Sequence, residues 1–246
     1  MADRTKLQMK EYITSKERKQ IYVNQMFATI APKYDRVTSW LSYGQDKKWK
    51  RELVELAKIE PQHQVLDLAC GTGDITFMLA ETLTTGHAVG VDITPGMLEI
   101  ANRKKKTMGL ETIHFELGDI MRLGFSDGQF DRITVGYGLR NVPDLPRALE
   151  EVLRLLKPGG RFLSLDFGRP KNRIYRELYL RYLTFVGSSF GWVLHGDPDV
   201  YRYISESLKL YPAQDGVKTL MEAAGFNETG YLCYLGGATA INYGVK

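Results

Sequence analysis

The stretch VLDLACGTGDITFMLA, residues 65–80, runs from apolar, strand-favouring residues through Gly71-Thr72-Gly73 directly into a helical pattern. Glycines at a strand-to-helix turn let a ligand approach the backbone, and the helix start offers free N–H groups to an anion. The dinucleotide fingerprint G-x-G-x-x-G requires a third glycine where this chain has Thr76, and the phosphate-loop pattern G-x-x-x-x-G-K-[ST] is absent. The loop therefore suits an anion smaller than a pyrophosphate, such as a carboxylate. Asp92 closes the next strand, 21 positions after Gly71, where an acidic residue accepts the hydroxyls of a ribose. A third strand end, with acidic Asp119 in LGDI, is placed to reach an adenine edge. One glycine loop is a weak signal; three strand ends in series with matching chemistry are a strong one. The competing role for these residues is a tight turn and two helix caps.

These residues must be carried by strands, and short apolar runs supply them at 64–70, 87–93, 112–118, 130–136 and 160–167. Helical patterns lie between them, at about 74–83, 95–108 and 146–156. In the last, Leu149, Val152, Leu153 and Leu156 form one stripe, Pro146 suits the first turn, and Lys157-Pro158-Gly159-Gly160 ends it. Thr94-Pro95 reads as another helix start, the threonine capping. Alternating strands and helices predict a doubly wound, mostly parallel α/β sheet. Residues 1–60 read mainly as helix, 171–210 are rich in tyrosine, phenylalanine and arginine, 214–226 are helical, and YLCYLG and ATAINYG read as closing strands.

Composition narrows the function. The chain has 246 residues, 43% hydrophobic and 25% charged, with net charge +4 and no long basic block, so nucleic acid is not an expected partner. Two cysteines, Cys70 and Cys233, and four scattered histidines offer no disulfide framework and no metal-ligand spacing. MADRTKLQMKEY has no apolar core and no stretch reaches membrane-spanning length, so a cytoplasmic location is expected.

VLDLACGTGD, GVDITPGMLEIA, LGDI, FDRITVGYGLRNVPD, EVLRLLKPGGRFLSLDF and GGATAINYGVK together resemble the ubiquinone/menaquinone-biosynthesis C-methyltransferases, of the class I S-adenosylmethionine-dependent fold. The likeness runs from about Gln20 to the end; GYGLRNVPD and the final GG…A…GxK are its most specific parts. It implies a seven-stranded Rossmann-like sheet in one domain, with a helical cap (1–60), a cofactor-binding core (61–168), a helical lid (169–212) and a closing helix and strands (213–246). It implies S-adenosyl-L-methionine as cofactor, its methionine end at Gly71, Thr72 and Gly73, the ribose at Asp92 beside Ile93, the adenine at Asp119 and Ile120, and Gly136 lining it. Asp67 and Asp74 stay open, Asp74 between ligand and helix cap.

Methylating a ring carbon requires a deprotonated ring hydroxyl that spreads charge to the ortho carbon, so the site must orient the ring and stabilise an oxyanion. The resemblance places Arg140, Asn141 and Tyr34 of the KYD motif in the active site. Arg140 would stabilise the phenolate and Asn141 hydrogen-bond the other ring oxygen; a loop-pinning salt bridge and a turn-former ahead of Pro143 are the alternatives, and for Tyr34 a core tyrosine. The family pattern YDxxN is here YDRVT, with Thr38 for asparagine, which puts the cap's contribution in question. His195 is not assigned a role. Residues 174–194, apolar and aromatic, read as a core helix pair or as a lid over a tunnel for a polyprenyl tail. The expected partner is a polyprenyl quinol reached by peripheral contact at the inner face of a membrane; a homodimer is left open. The alternatives are methylation of another small acceptor and a non-catalytic cofactor-binding scaffold in a quinone-synthesis complex.

Overall fold

A computed structural model describes residues 16–31, 38, 42, 44–196 and 199–246. Helices α1 (Lys16–Ile30) and α2 (Asp46–Ala57) precede β1 (Gln64–Leu68), α3 (Asp74–Ala80), β2 (His87–Asp92), α4 (Pro95–Met108) and β3 (Ile113–Leu117). Then come β4 (Phe130–Gly136), a 3₁₀ turn (Leu139–Asn141), α5 (Leu145–Leu155) and β5 (Leu156–Phe167). The chain closes with α6 (Arg173–His195), α7 (Asp199–Leu210), α8 (Ala213–Ala224), β6 (Asn227–Tyr234) and β7 (Thr239–Val245).

The seven strands make one sheet in the order β3-β2-β1-β4-β5-β7-β6. Strands β1 to β5 run parallel, and β7 pairs antiparallel with β5 and β6. This is the expected doubly wound sheet. Its order reverses between β1 and β4, which opens a crevice at the carboxyl ends of those strands. Both faces are covered: Leu66, Leu68, Ile133 and Phe162 pack with α5 and α8 residues on one side, and Val65, Leu163 and Leu165 with α2 and α3 residues on the other. A strand buried on both faces must be apolar throughout, and Asp67 is the exception among the buried residues of β1.

Two local expectations change. Leu156 does not end helix α5; it pairs with Phe130 as the first residue of β5, and the register then jumps to Arg132 with Arg161. The Lys157–Gly160 segment is a bulge whose backbone pairs with the chain end, Gly159 N–H to Lys246 O at 3.0 Å and Lys246 N–H to Gly160 O at 3.0 Å. Thr94 holds the cap position of α4, but its side chain makes no capping bond.

Helix α1 lies across the carboxyl edge. Ile30 and Phe27 pack with Met97 of α4 and Tyr201 of α7, and the Tyr22 ring sits 5.4 Å from that of Tyr203. Among the described residues no helix is long and apolar enough to cross a membrane.

Asp67 accepts hydroxyl hydrogen bonds from Thr76 at 2.6 Å and Thr134 at 2.9 Å. Burial nevertheless raises its pKa from 3.8 to about 7. The folded carboxyl thus keeps a proton that the unfolded chain releases, so its contribution favours the fold below about pH 4 and is lost as pH rises through 7. Asp67→Asn should gain stability over the parent by about 1 kcal/mol per pH unit as pH goes from 5 to 7. Urea unfolding across that range measures it; a constant gap would mean the carboxyl titrates normally.

Candidate active site

At the reversal point lies a cavity of about 690 Å³, lined by Ala69 and Gly71 beyond β1, Asp92 to Thr94 beyond β2, Gly118 to Ile120 beyond β3 and Gly136 to Gly138 beyond β4. Asn141 and Val142 extend that wall, and Gln20, Val23 and Phe27 of α1 face it from above. Gly71, Asp92, Ile93, Asp119, Ile120, Gly136 and Asn141 therefore meet at one cavity. Thr72, Gly73 and Arg140 lie beside it but do not line it. Tyr34 lies outside the described residues.

The two loop glycines do different work. Gly71 (φ +57°) lines the cavity and has open space where a Cβ would project. Gly73 (φ +89°) has no such space; a Cβ would meet Phe115 Cζ at 2.8 Å. Thr72 is buried, and its hydroxyl accepts from Lys104 Nζ at 3.1 Å. Asp74 is an anchor: Lys50 and Lys104 each reach it at 3.0 Å. Burial would raise its pKa, but the two lysines outweigh this and hold it below the usual value. Thr76, where a dinucleotide loop has glycine, is committed to Asp67 beneath the loop.

The Asp92 carboxylate joins two strand ends. One oxygen accepts Gly71 N–H and the other Thr94 N–H, both at 2.8 Å. Burial pushes its pKa up and these backbone bonds oppose it. Each oxygen retains a lone pair, so the group can also accept the two hydroxyls of a diol. Asp119 Oδ1 likewise accepts Met121 N–H at 2.9 Å while lining the cavity. Backbone anchoring and ligand binding coexist in both residues.

Beyond β4, Tyr137 takes a left-handed backbone (φ +58°), as Ala69 does beyond β1 (φ +49°). Such strain in non-glycine residues clusters at functional sites. Arg140 is buried and turned toward β5: Nη1 donates to Tyr137 O at 2.6 Å and to Asp166 Oδ1 at 2.7 Å, and its backbone N–H reaches Asp166 Oδ2 at 3.2 Å. Its guanidinium lies 5.1 Å over the Phe167 ring. Asn141 Nδ2 donates to Tyr137 O at 3.3 Å, whereas its Oδ1 is buried with no hydrogen-bond partner among the described residues. A second cavity of about 840 Å³ begins at Phe167 and runs among Trp49, Tyr175, Leu178, Tyr179, Tyr182 and Leu183. The sequence reading missed Asp166, Phe167 and Lys19; a lone carboxylate in the apolar run RFLSLDF was the available signal for Asp166, and nothing local marks Lys19.

A model of the ubiE/COQ5 methyltransferase family matches residues 13–246. The chain is 41% identical to the demethylmenaquinone methyltransferase of Thermus thermophilus over 202 residues, 82% of this chain and 91% of that one. It is 38% identical to that of Symbiobacterium thermophilum over 239 residues, 94% and 95% of the two chains. Among solved structures it resembles a SAM-dependent methyltransferase from Aquifex aeolicus (TM-score 0.59, 15% identity, covering 80% and 88%). It also resembles a possible histamine N-methyltransferase from Thermotoga maritima (TM-score 0.63, 19% identity, covering 90% and 99%). At these identities the structural likeness is one of fold.

Removing Asp92 strips the acceptor from two backbone N–H groups. Asp92→Ala should therefore lower the unfolding free energy by about 2–3 kcal/mol even without ligand, measured by denaturant titration. Parent-like stability would mean that the carboxylate does not anchor the loop.

Proposed function

The chain belongs to the ubiE/COQ5 methyltransferase family, and from this we propose that the first cavity holds S-adenosylmethionine and that the Arg140–Asn141 turn acts on a quinol presented from the second. The protein is an S-adenosylmethionine-dependent C-methyltransferase of quinone biosynthesis. We assign demethylmenaquinol as the acceptor, in keeping with the names of the two relatives above. The observation that carries the residue roles is the buried Oδ1 of Asn141 in the cavity wall, without a hydrogen-bond partner among the described residues, beside a buried guanidinium. A buried acceptor without a donor is costly unless a ligand supplies one.

The cavity suits the cofactor. Asp92 offers acceptor sites for a ribose diol, Gly71 a backbone with open space beside it for the amino-acid end, and Asp119 with Ile120 a polar edge and an apolar face for the adenine. Bound there, S-adenosylmethionine supplies an electrophilic methyl group and a neutral thioether leaving group.

The chain's own part is to make the ring carbon nucleophilic. Asn141 Oδ1 accepts the hydrogen bond of a ring hydroxyl and so orients the ring. The positive charge of Arg140 beside it favours transfer of the other ring hydroxyl's proton to water and stabilises the oxyanion left behind. Its bonds to Tyr137 and Asp166 hold the guanidinium in place, so little reorganisation accompanies the reaction. Arg140 also links the two cavities, bonded to Tyr137 of the first and stacked on Phe167 of the second. The ring belongs at that junction and the apolar tail in the second cavity.

The tail's route suggests contact with a lipid surface. Ile174, Leu178, Phe185 and Trp192 recur along one exposed stripe of α6, with exposed Lys171, Arg173 and Arg181 close by. Apolar side chains among basic ones suit an anionic bilayer face, and Leu178 and Tyr175 also line the second cavity.

Methyl transfer from labelled S-adenosylmethionine should require the reduced acceptor, because the quinone has no hydroxyl proton to lose. Equal turnover of both redox forms would refute the mechanism. Arg140→Ala should lower single-turnover rate by about 10²–10³, the scale of one lost oxyanion-stabilising group, with cofactor affinity nearly unchanged. A destabilised but fully active Arg140→Ala would make the residue a loop pin.

A further inference from the structure

Helix α1 is the cavity wall most distant in sequence from the β4 turn, and it presents Gln20, Val23 and Phe27 on one face. One turn nearer its start, Lys19 leaves the helix surface and reaches the reactive turn. Its Nζ donates to Arg140 O at 2.9 Å and to Val142 O at 3.0 Å, across 121 and 123 residues. These carbonyls lie at the end of a short helical turn, where backbone acceptors lack partners within the turn and a basic side chain is a suitable cap. Arg140 is thereby gripped along its whole length: Asp166 takes its backbone N–H and guanidinium, and Lys19 takes its carbonyl.

We propose that Lys19 is a positioning residue that fastens α1 over the cofactor cavity and holds the Leu139–Asn141 turn so that Asn141 Oδ1 faces that cavity. The proposal rests on the reading of this cavity as the S-adenosylmethionine site. It makes the polar tie, rather than the apolar packing of Tyr22, Val23 and Met26 on Tyr203 alone, responsible for the closed arrangement.

The enclosure of the amine supports this. Burial, and next the charge of Arg140, push the Lys19 pKa down to about 8, with Asp166 opposing. Arg140 on the turn and Asp166 on β5 are the charges that bear on it; on α7 the Tyr203 phenol, packed against Tyr22, is kept neutral by burial. A lysine whose docked pKa lies below its free value releases its proton on docking, so docking tightens as pH rises from 8 toward 10. The neutral amine still has two N–H groups for the two carbonyls.

The test compares the parent with Lys19→Met and Lys19→Arg. In ligand-free protein, amide hydrogen exchange of α1 should quicken by about tenfold in Lys19→Met, the scale of one or two hydrogen bonds, and return near the parent value in Lys19→Arg. Calorimetry with S-adenosylhomocysteine should show about tenfold weaker binding in Lys19→Met, restored in Lys19→Arg. Turnover at saturating cofactor should fall severalfold in Lys19→Met, since the turn loses its brace. Parent affinity should tighten between pH 8 and 10, and that of Lys19→Arg should stay level. Parent-like exchange and affinity in Lys19→Met, or no recovery in Lys19→Arg, would overturn the proposal. If the parent protein binds no S-adenosylhomocysteine, the cavity reading fails instead, while the ligand-free exchange still tests the brace.

Discussion

The ion pair between Arg140 and Asp166 is the contact on which the arrangement of the β4 turn depends. Both side chains are almost wholly shielded from water. Removing two charges from solvent is costly, and their attraction offsets this only with close geometry and additional hydrogen bonds. Here those bonds come from the Tyr137 carbonyl and the Arg140 backbone N–H. Because losing either partner would strand a buried charge, the pair restricts the turn to conformations that keep both. Tyr137, Asn141 and Val142 are positioned by that restriction, and the Phe167 ring completes the enclosure under the guanidinium.

A second set of buried carboxylates organises the opposite wall. Asp67 beneath the glycine loop and Asp92 at its side are both opposed by desolvation, and both are satisfied by short donors from the loop or its helix. Lys50 and Lys104 hold the loop's outer side through Asp74. The loop is therefore braced by hydrogen bonds on several sides, with Gly71 lining the cavity. Preorganisation of this kind reduces the ordering cost of binding.

The two walls meet where the strand-end cavity approaches the aromatic one. Tyr137 and Phe167, with ring centroids 5.4 Å apart, belong to different cavities and form a common partition. Helix α6 closes the aromatic side, and α1 closes the side of the first cavity. The fold is shared with methyltransferases of low identity, consistent with function residing in sites rather than folds.

The doubly wound sheet, its first five strands and the strand-end residues Gly71, Asp92 and Asp119 were legible in the sequence, and Gly136 only through the family resemblance. Their signals are local: apolar runs, glycine at a turn, and an acidic residue ending a strand. The pairing of Leu156 within β5 was not legible, because an apolar residue after a helical stripe satisfies either pattern until a neighbouring strand claims it. Nor was the difference between Gly71 and Gly73, since only the packed Phe115 ring separates open space from collision. Asn141 could be singled out by its motif, but the burial of its oxygen without a partner among the described residues follows from the path of the whole turn. Arg140 could be named by its motif; its attachment to Asp166, 26 residues away, and to Lys19, 121 residues away, arises from strand order and helix placement. Local residue patterns determined which chemical groups line the strand ends. Tertiary structure alone decided which of them face the cavity and which are used to hold it open, because burial and long-range hydrogen bonding exist only once distant segments are packed together.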